Sequence, residues 1–495
     1  MRPRTRPRPR TLLGRTPLAG RYPAAVALSL LALCPYLVLT TATTLMEPLL
    51  LRELHATRFG LQLATGLSNA AYAFGAVAAA DIVQRVPRRH VYLVCECGFV
   101  AGCVLVLCAQ GAAVFVAGMV LQGLVTGMLL VAALPPLVTG HGTRRLPTTA
   151  AVISLGLFGM ATCGPLVGGL VGAFGGWRLL FAALAVLALV GVTIGALAFE
   201  PNQPPAQGAA FDWLAIPLAL GATLLPFFGV SWLTRGSFTD LLFLVPVAFG
   251  LLLGAALVAG QYHAPRPLMP VRPISNTLPV AGMLGAMTVG AVFTALVELT
   301  EGYLVDVARA SPLQVGLLLA PQLPGVVVAA LLFRRLLPTA GVPLLALSGL
   351  AGVAAAGAVL LTATPSDAAV VVPVAALLLG YGAGAGVAPG LFMAGLSVPS
   401  TQIGPTFALV ELLRSEAAFL VGPVLLRIAD AEGLAGGFRL AVGASLVLTV
   451  LGGALIVGVY LLGGARLRRP DLSAWIAGES TAYHSPRLGA RLRKG

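Results

Sequence analysis

The chain has 495 residues, 58% of them hydrophobic and 10% charged, with a formal net charge of +14. A soluble protein carries roughly a quarter charged residues, and no single soluble core hides so much apolar surface, so the composition excludes a soluble globular fold and fits lipid as the solvent. The basic balance does not signal nucleic acid, because the basic residues gather at the chain ends and in short loops.

In chain order, residues 1–22 form a Pro-interleaved basic segment (Arg2, Arg4, Arg6, Arg8, Arg10, Arg15, Arg21), expected to be a disordered cytoplasmic tail beside anionic lipid. The apolar run after it is too long for a cleaved signal, and further spans follow. Apolar runs near twenty residues recur at 24–50, 60–83, 91–109, 112–138, 149–174, 178–199, 212–233, 239–260, 278–302, 314–334, 341–362, 369–394, 403–426 and 439–463. They predict an all-α integral membrane protein of about fourteen transmembrane helices. With the N-terminus inside, 23 of the 31 basic residues fall on the cytoplasmic side and 7 outside, with Arg414 inside a span. That bias satisfies the positive-inside rule and places both termini in the cytoplasm. Residues 464–495 then form a second basic cytoplasmic tail. The Arg-rich, Gly- and Ala-rich composition suggests a bacterial source, hence a multi-pass protein of the inner (plasma) membrane.

The six cysteines (Cys34, Cys95, Cys97, Cys103, Cys108, Cys163) all lie in apolar runs. Cys95 and Cys97 point about 200° apart on a helix, and no His lies in a span, so they read as small apolar filler and no metal is expected.

The fifth span reads Gly164-Pro165-Leu166-Val167-Gly168-Gly169, followed by Gly175-Gly176-Trp177-Arg178 and Phe181. This resembles the helix-five signature of exporters of the major facilitator superfamily, where Gly and Pro permit a bend and close helix contact. Leu121-Gln122-Gly123 looks like the end of the family's helix-four motif. Pro48 through Leu54, with Arg52 and Glu53, resembles its first outer loop, and Arg85-Val86-Pro87-Arg88-Arg89-His90 its basic loop between helices two and three. Pro267 through Arg272, Tyr303-Leu304 and Ser311-Pro312-Leu313 agree. The resemblance covers nearly the whole chain and fits the fourteen-helix drug:proton antiporter branch. It implies a six-helix half (23–200), an inserted helix pair with linkers (201–277) and a second six-helix half (278–463), rocking about a central site. In that reading Gly164, Pro165, Gly168 and Gly169 are the conformational motif, and Asp81, Arg85, Arg88 and Arg89 the cytoplasmic gating loop.

The chain departs from the family where coupling charges would stand. The helix-one acid falls at Leu39, the helix-four arginine at Met119, and the acid opening the basic loop at Gln84, with Asp81 one turn earlier. Pro87 replaces the loop glycine. The charges that remain in the spans invite functional readings, since each costs at least about 2.5–3.5 kcal/mol at the bilayer centre. Glu411, Arg414, Glu416 and Glu96 are the candidates for proton or cation coupling. Glu411 and Arg414, three residues apart, share a helix face and can pair; Glu416 points about 140° from Glu411 and has no partner on its own helix. Their alternative reading is a structural interhelical ion pair. Glu96 reads either as a gate or as a partner of the basic loop. Glu47, Glu298 and Glu301 fall near the outer boundary, as functional acids or as wetted carboxylates at the outer mouth. Thr40, Thr41, Thr44 and Gln122 are the substrate-cavity candidates, although Thr also bonds back to its own helix.

The leading expectation is a monomeric, proton-driven exporter of small amphipathic or cationic compounds, with substrate, protons and the bilayer as partners, no nucleic acid and no cofactor. The alternatives are movement of a lipid-like molecule, or a transport-deficient relative acting as sensor or scaffold. An enzyme is not expected, because no nucleophile elbow, metal-spaced His cluster or phosphate loop is present.

Overall fold

The computed structural model describes residues 16–199, 212–265, 267–431, 433–488 and 490. The basic residues of 1–15, Arg266 and Lys494 lie outside the described residues. Fourteen long helices are present among those described: α1 (Tyr22–Glu53), α2 (Arg58–Arg85), α3 (Arg88–Leu107), α4 (Ala112–Thr139), α5 (Leu146–Phe174), α6 (Trp177–Ala198), α7 (Ala215–Trp232), α8 (Leu241–His263), α9 (Thr277–Asp306), α10 (Pro312–Leu336), α11 (Val342–Leu360), α12 (Ala368–Gly395), α13 (Ile403–Ala431) and α14 (Leu434–Gly463). All but α13 are long and apolar enough to cross a membrane. The 29 residues of α13 are long enough, but they carry Glu411, Arg414, Glu416, Arg427 and Asp430. It is tolerated because it packs between α2, α9 and α14 inside the bundle rather than in lipid.

Helices dominate because each satisfies its own backbone where no water can. Their ends are set locally. Thr57 caps α2 by accepting from the Gly60 N–H, and Ser311 with Gln314 forms a reciprocal capping box at the start of α10. Asp240 closes the α7–α8 turn. The Ser237 N–H at 2.9 Å, the Ser237 hydroxyl and the Trp232 indole hold its carboxyl below the usual carboxylate range.

The packing repeats. Within the first six helices α1 packs on α5, α2 on α4, and α3 on α4 and α6. Eight positions later in the order, α9 packs on α13, α10 on α12, and α11 on α12 and α14. Two cross-contacts join the sets, α5 with α10 and α2 with α13, and they correspond to each other under the same shift. The inserted helices α7 and α8 pair with each other, and α7 lies along both α2 and α13, with Phe59 against Trp232 and Phe227 against Phe419.

One end of the bundle carries Arg85, Arg88, Arg89, Arg144, Arg145, Arg334 and Arg335 and is called the basic end below. Residues 464–488, read from sequence as a plain basic tail, are folded against it. They include a helical turn at Leu472–Ile476 and the fully buried Trp475.

Candidate functional site

On α13 the guanidinium of Arg414 grips the Glu411 carboxylate, its Nε lying 3.1 and 3.0 Å from the two oxygens and its Nη2 closer still. The i,i+3 spacing brings the groups together, and burial makes each depend on the other. Tyr72 of α2 donates to the same carboxylate at 3.0 Å, so the contact crosses from the first helix set to the second. The Tyr72 ring stacks on Tyr36 of α1, whose hydroxyl donates to Asn69 at 2.9 Å and meets Ser68 at 2.9 Å. Ser68 in turn donates to the Met119 carbonyl on α4 at 2.7 Å. Across the seam, the Arg414 stem lies against Gly290 of α9, where an added methyl would stand 3.2 Å from its Cγ. Tyr36, Ser68, Asn69 and Tyr72 carry this buried polar ladder, and sequence reading missed all four. Each sits in an apolar helix with no local signal of a partner.

Glu416 is apart from the ladder. Both its carboxyl oxygens are buried without a hydrogen-bond partner among the described residues. It lies one turn before Phe419, which meets Phe227 of α7.

The three outer acids separate. Glu47 is partly exposed and lies 3.8 Å from Arg58, as a wetted carboxylate would. Glu301 is 1% exposed, and both its oxygens lack a hydrogen-bond partner among the described residues, which removes the wetted reading for it. Its electrostatic neighbours are Glu298, one turn back on α9, and the Thr44 hydroxyl on α1. Glu298 faces α13, where a methyl on Gly422 would meet its Oε2 at 2.5 Å. The site therefore gathers Thr44, Glu298, Glu301 and Gly422 from α1, α9 and α13.

Glu96 does not pair with the basic loop. It is 1% exposed, set between α3 and α6 against Gly191 and beside Tyr92, and makes no ion pair with the basic loop among the described residues. Gln122 is likewise no cavity residue. It is fully buried and donates to Cys103 at 3.4 Å, because α4 turns that face towards α3. Thr40 bonds back to Leu37 at 2.8 Å. Of the threonines, Thr44 alone reaches the acid pair.

The Gly-Pro tract of α5 is built by close approach. Pro165 has no N–H, so the carbonyl four residues back, Ala161, loses its helical donor, and the Thr41 hydroxyl supplies one at 2.6 Å. A side chain at Gly164 would collide with Thr41, one at Gly168 with the Ala42 carbonyl, and one at Gly169 with the Pro312 carbonyl of α10. Thus α5 is wedged between α1 and α10. Earlier in α5, Leu155–Gly159 forms a π-helical turn, and the Gly156 carbonyl accepts from the Cys34 thiol at 3.3 Å. At the far end, the Trp177 indole and the Arg178 guanidinium both donate to Glu53 at 2.7 Å, tying the Gly-Trp-Arg run to the end of α1.

At the basic end, Asp81 pairs with Arg85 on its own helix, and Arg89 donates to the Ala196 carbonyl at 3.1 Å. Gln84 bonds to the Ala80 carbonyl instead. Leu39 and Met119, where the family's coupling charges would stand, are buried in the apolar core.

Comparison with known proteins agrees with this architecture. The sequence profile of the Major Facilitator Superfamily matches residues 28–423. The chain is 27% identical over 338 residues to a multidrug resistance protein B homolog of Mycobacterium tuberculosis, covering 67% of this chain and 61% of that protein. It is 25% identical over 283 residues to the tetracenomycin C resistance and export protein of Streptomyces glaucescens, covering 57% of this chain and 52% of that one. The chain thus spans about half to three-fifths of the length of these relatives. Among solved structures, a peptide transporter in complex with sulfate superposes with a TM-score of 0.63 at 18% identity, over 90% of this chain and 96% of that one. A human organic anion transporter does so with 0.62 at 16% identity, over 88% and 99%. With four-fifths of its length matched and the helix order to go with it, the chain is a multi-pass membrane protein belonging to the major facilitator superfamily.

Proposed function

We propose that the chain exports small amphipathic or cationic compounds from a bacterial cell by alternating access, in exchange for protons. The observation that carries this reading is the acid pair on α9. Glu298 and Glu301 sit one turn apart at the seam of α1, α9 and α13, and neither makes an ion pair among the described residues. Taking an unpaired carboxylate out of water costs on the order of several kcal/mol, so this seam needs a proton or another cation. A proton arriving from one side and a cationic compound from the other compete for the same carboxyls. Competition of that kind is antiport.

In this reading the residues 23–200 and 278–463 are the moving bodies, and the basic end faces the cytoplasm. The Tyr72–Glu411–Arg414 contact bridges the bodies and opens when they rock, while Glu416 offers a further carboxyl on α13. The resistance and export roles in the relatives' names support the direction and the substrate class. A second reading, movement of a lipid-like molecule, is favoured by the apolar Leu39 and Met119 in the core.

Accumulation of a fluorescent cationic dye in cells tests the choice. Expression lowers accumulation, an uncoupler restores it, and the double variant Glu298→Gln, Glu301→Gln accumulates dye like cells without the protein. Unchanged accumulation across cationic and neutral compounds, with movement of a fluorescent phospholipid instead, would select the second reading.

A further inference from the structure

The segment after α14 builds a cleft of its own. Gly464 ends the helix in the left-handed conformation at φ 63°, and the chain turns back across the basic end. Trp475 donates to the Val398 carbonyl at 2.7 Å, and the Ala482 and Tyr483 N–H groups share the Leu396 carbonyl at 2.9 and 3.1 Å. The Pro486 carbonyl accepts from the Thr277 N–H at 2.9 Å and from its hydroxyl at 2.8 Å. These bonds hold the segment against the first turn of α9 and the α12–α13 loop, and leave between them a cleft of about 570 Å³.

Its chemistry is one-sided. Arg466, Arg468 and His484 line it together with Asn276, Thr481 and Tyr483, and among the described residues no carboxylate does. Neither arginine makes an ion pair among the described residues. The nearby Asp471 accepts from the Ala474 N–H at 3.0 Å and the Ser473 hydroxyl at 2.8 Å, and its carboxylate lies close enough to act on His484, which leaves the two arginines as the cleft's uncompensated charge. Tyr483 is 6% exposed and forms part of the cleft wall, with its hydroxyl sealed inside the protein. Near its end α14 exposes Leu455, Leu461 and Leu462, and Leu467 is exposed after it.

We propose that this cleft binds a phosphate-bearing anion, supplied by the headgroup of an anionic phospholipid. Guanidinium forks match phosphate oxygens, and the exposed leucines at the end of α14 offer apolar surface to acyl chains. The cleft stands among helix ends, where a bilayer presents its headgroups.

The test uses the full chain in detergent, titrated with phosphatidylglycerol, phosphatidylcholine or soluble glycerol 3-phosphate. Saturable binding of phosphatidylglycerol is expected, weakened about thirtyfold in Arg466→Gln, Arg468→Gln, from roughly 1 kcal/mol per basic residue. Neither arginine makes an ion pair or a side-chain hydrogen bond among the described residues, so the unliganded double variant is expected to melt like the parent chain. Equal binding of glycerol 3-phosphate, lost in the same variant, keeps the site and identifies a soluble phosphate as its ligand. Equal binding of phosphatidylcholine, unchanged binding in the double variant, or no saturable binding of either phosphate overturns the proposal. None of these outcomes bears on the acid pair of α9.

Discussion

At the scale of single residues, the energetics turn on which charges are paired. Glu411 and Arg414 neutralise each other in a buried site, so removing one partner leaves the other stranded. Glu411→Gln is expected to destabilise the protein by about 3–5 kcal/mol, read as a large fall in melting temperature in detergent. Adding Arg414→Met to that variant should recover most of the loss. A single variant that melts with the parent chain would mean the guanidinium reaches water. This pair was legible from its spacing alone, since three residues on a helix return to nearly the same face. Its third member was not, because Tyr72 lies 339 positions away and nothing local marks it. The acid pair of α9 was legible as residues but not as a site. Depth estimated from span ends put Glu301 near water, and only the packing of α1 against α9 shows it sealed.

At the scale of the helix, α5 is the best case of sequence read as geometry. The Gly-Pro tract announces close packing, and the structure supplies the partners, Thr41 and Ala42 on α1 and Pro312 on α10. Gly164→Leu therefore has no accommodating shift, because Thr41 is tied to the carbonyl that Pro165 leaves free. Loss of export and a fall in folded yield are expected, measured by dye efflux and by size-exclusion of the solubilised protein. Gly443→Ala on α14, where nothing lies within 4 Å of an added methyl, should leave both unchanged and gain up to about 1 kcal/mol of helix propensity. Similar damage at both positions would mean that glycine content, and not the α1–α5–α10 wedge, is what matters. The π-helical turn before Pro165 was not legible, since Leu155–Gly159 has the composition of any apolar helix. Gln122 misled for a related reason. A polar residue in a span suggests a cavity, yet the face that α4 turns towards α3 decides where it points.

At the scale of the whole molecule, hydropathy and the asymmetry of basic residues were enough for the number and order of helices, because lipid enforces both. The docked tail escaped because a short basic segment has no periodicity, although Trp475 and Tyr483 were in plain view as anchors. The inserted pair escaped in its placement: α7 lies along α2 and α13, a contact no linear pattern encodes. In the proposed cycle, protons and a cationic compound exchange at Glu298 and Glu301. Everted membrane vesicles, loaded with a pH-sensitive dye and energised to an acidic lumen, test it directly. Addition of a transported cation should raise the lumenal pH in vesicles with the parent chain and leave it unchanged with Glu298→Gln, Glu301→Gln. The same rise in both, or cation uptake with no change in lumenal pH, would contradict it.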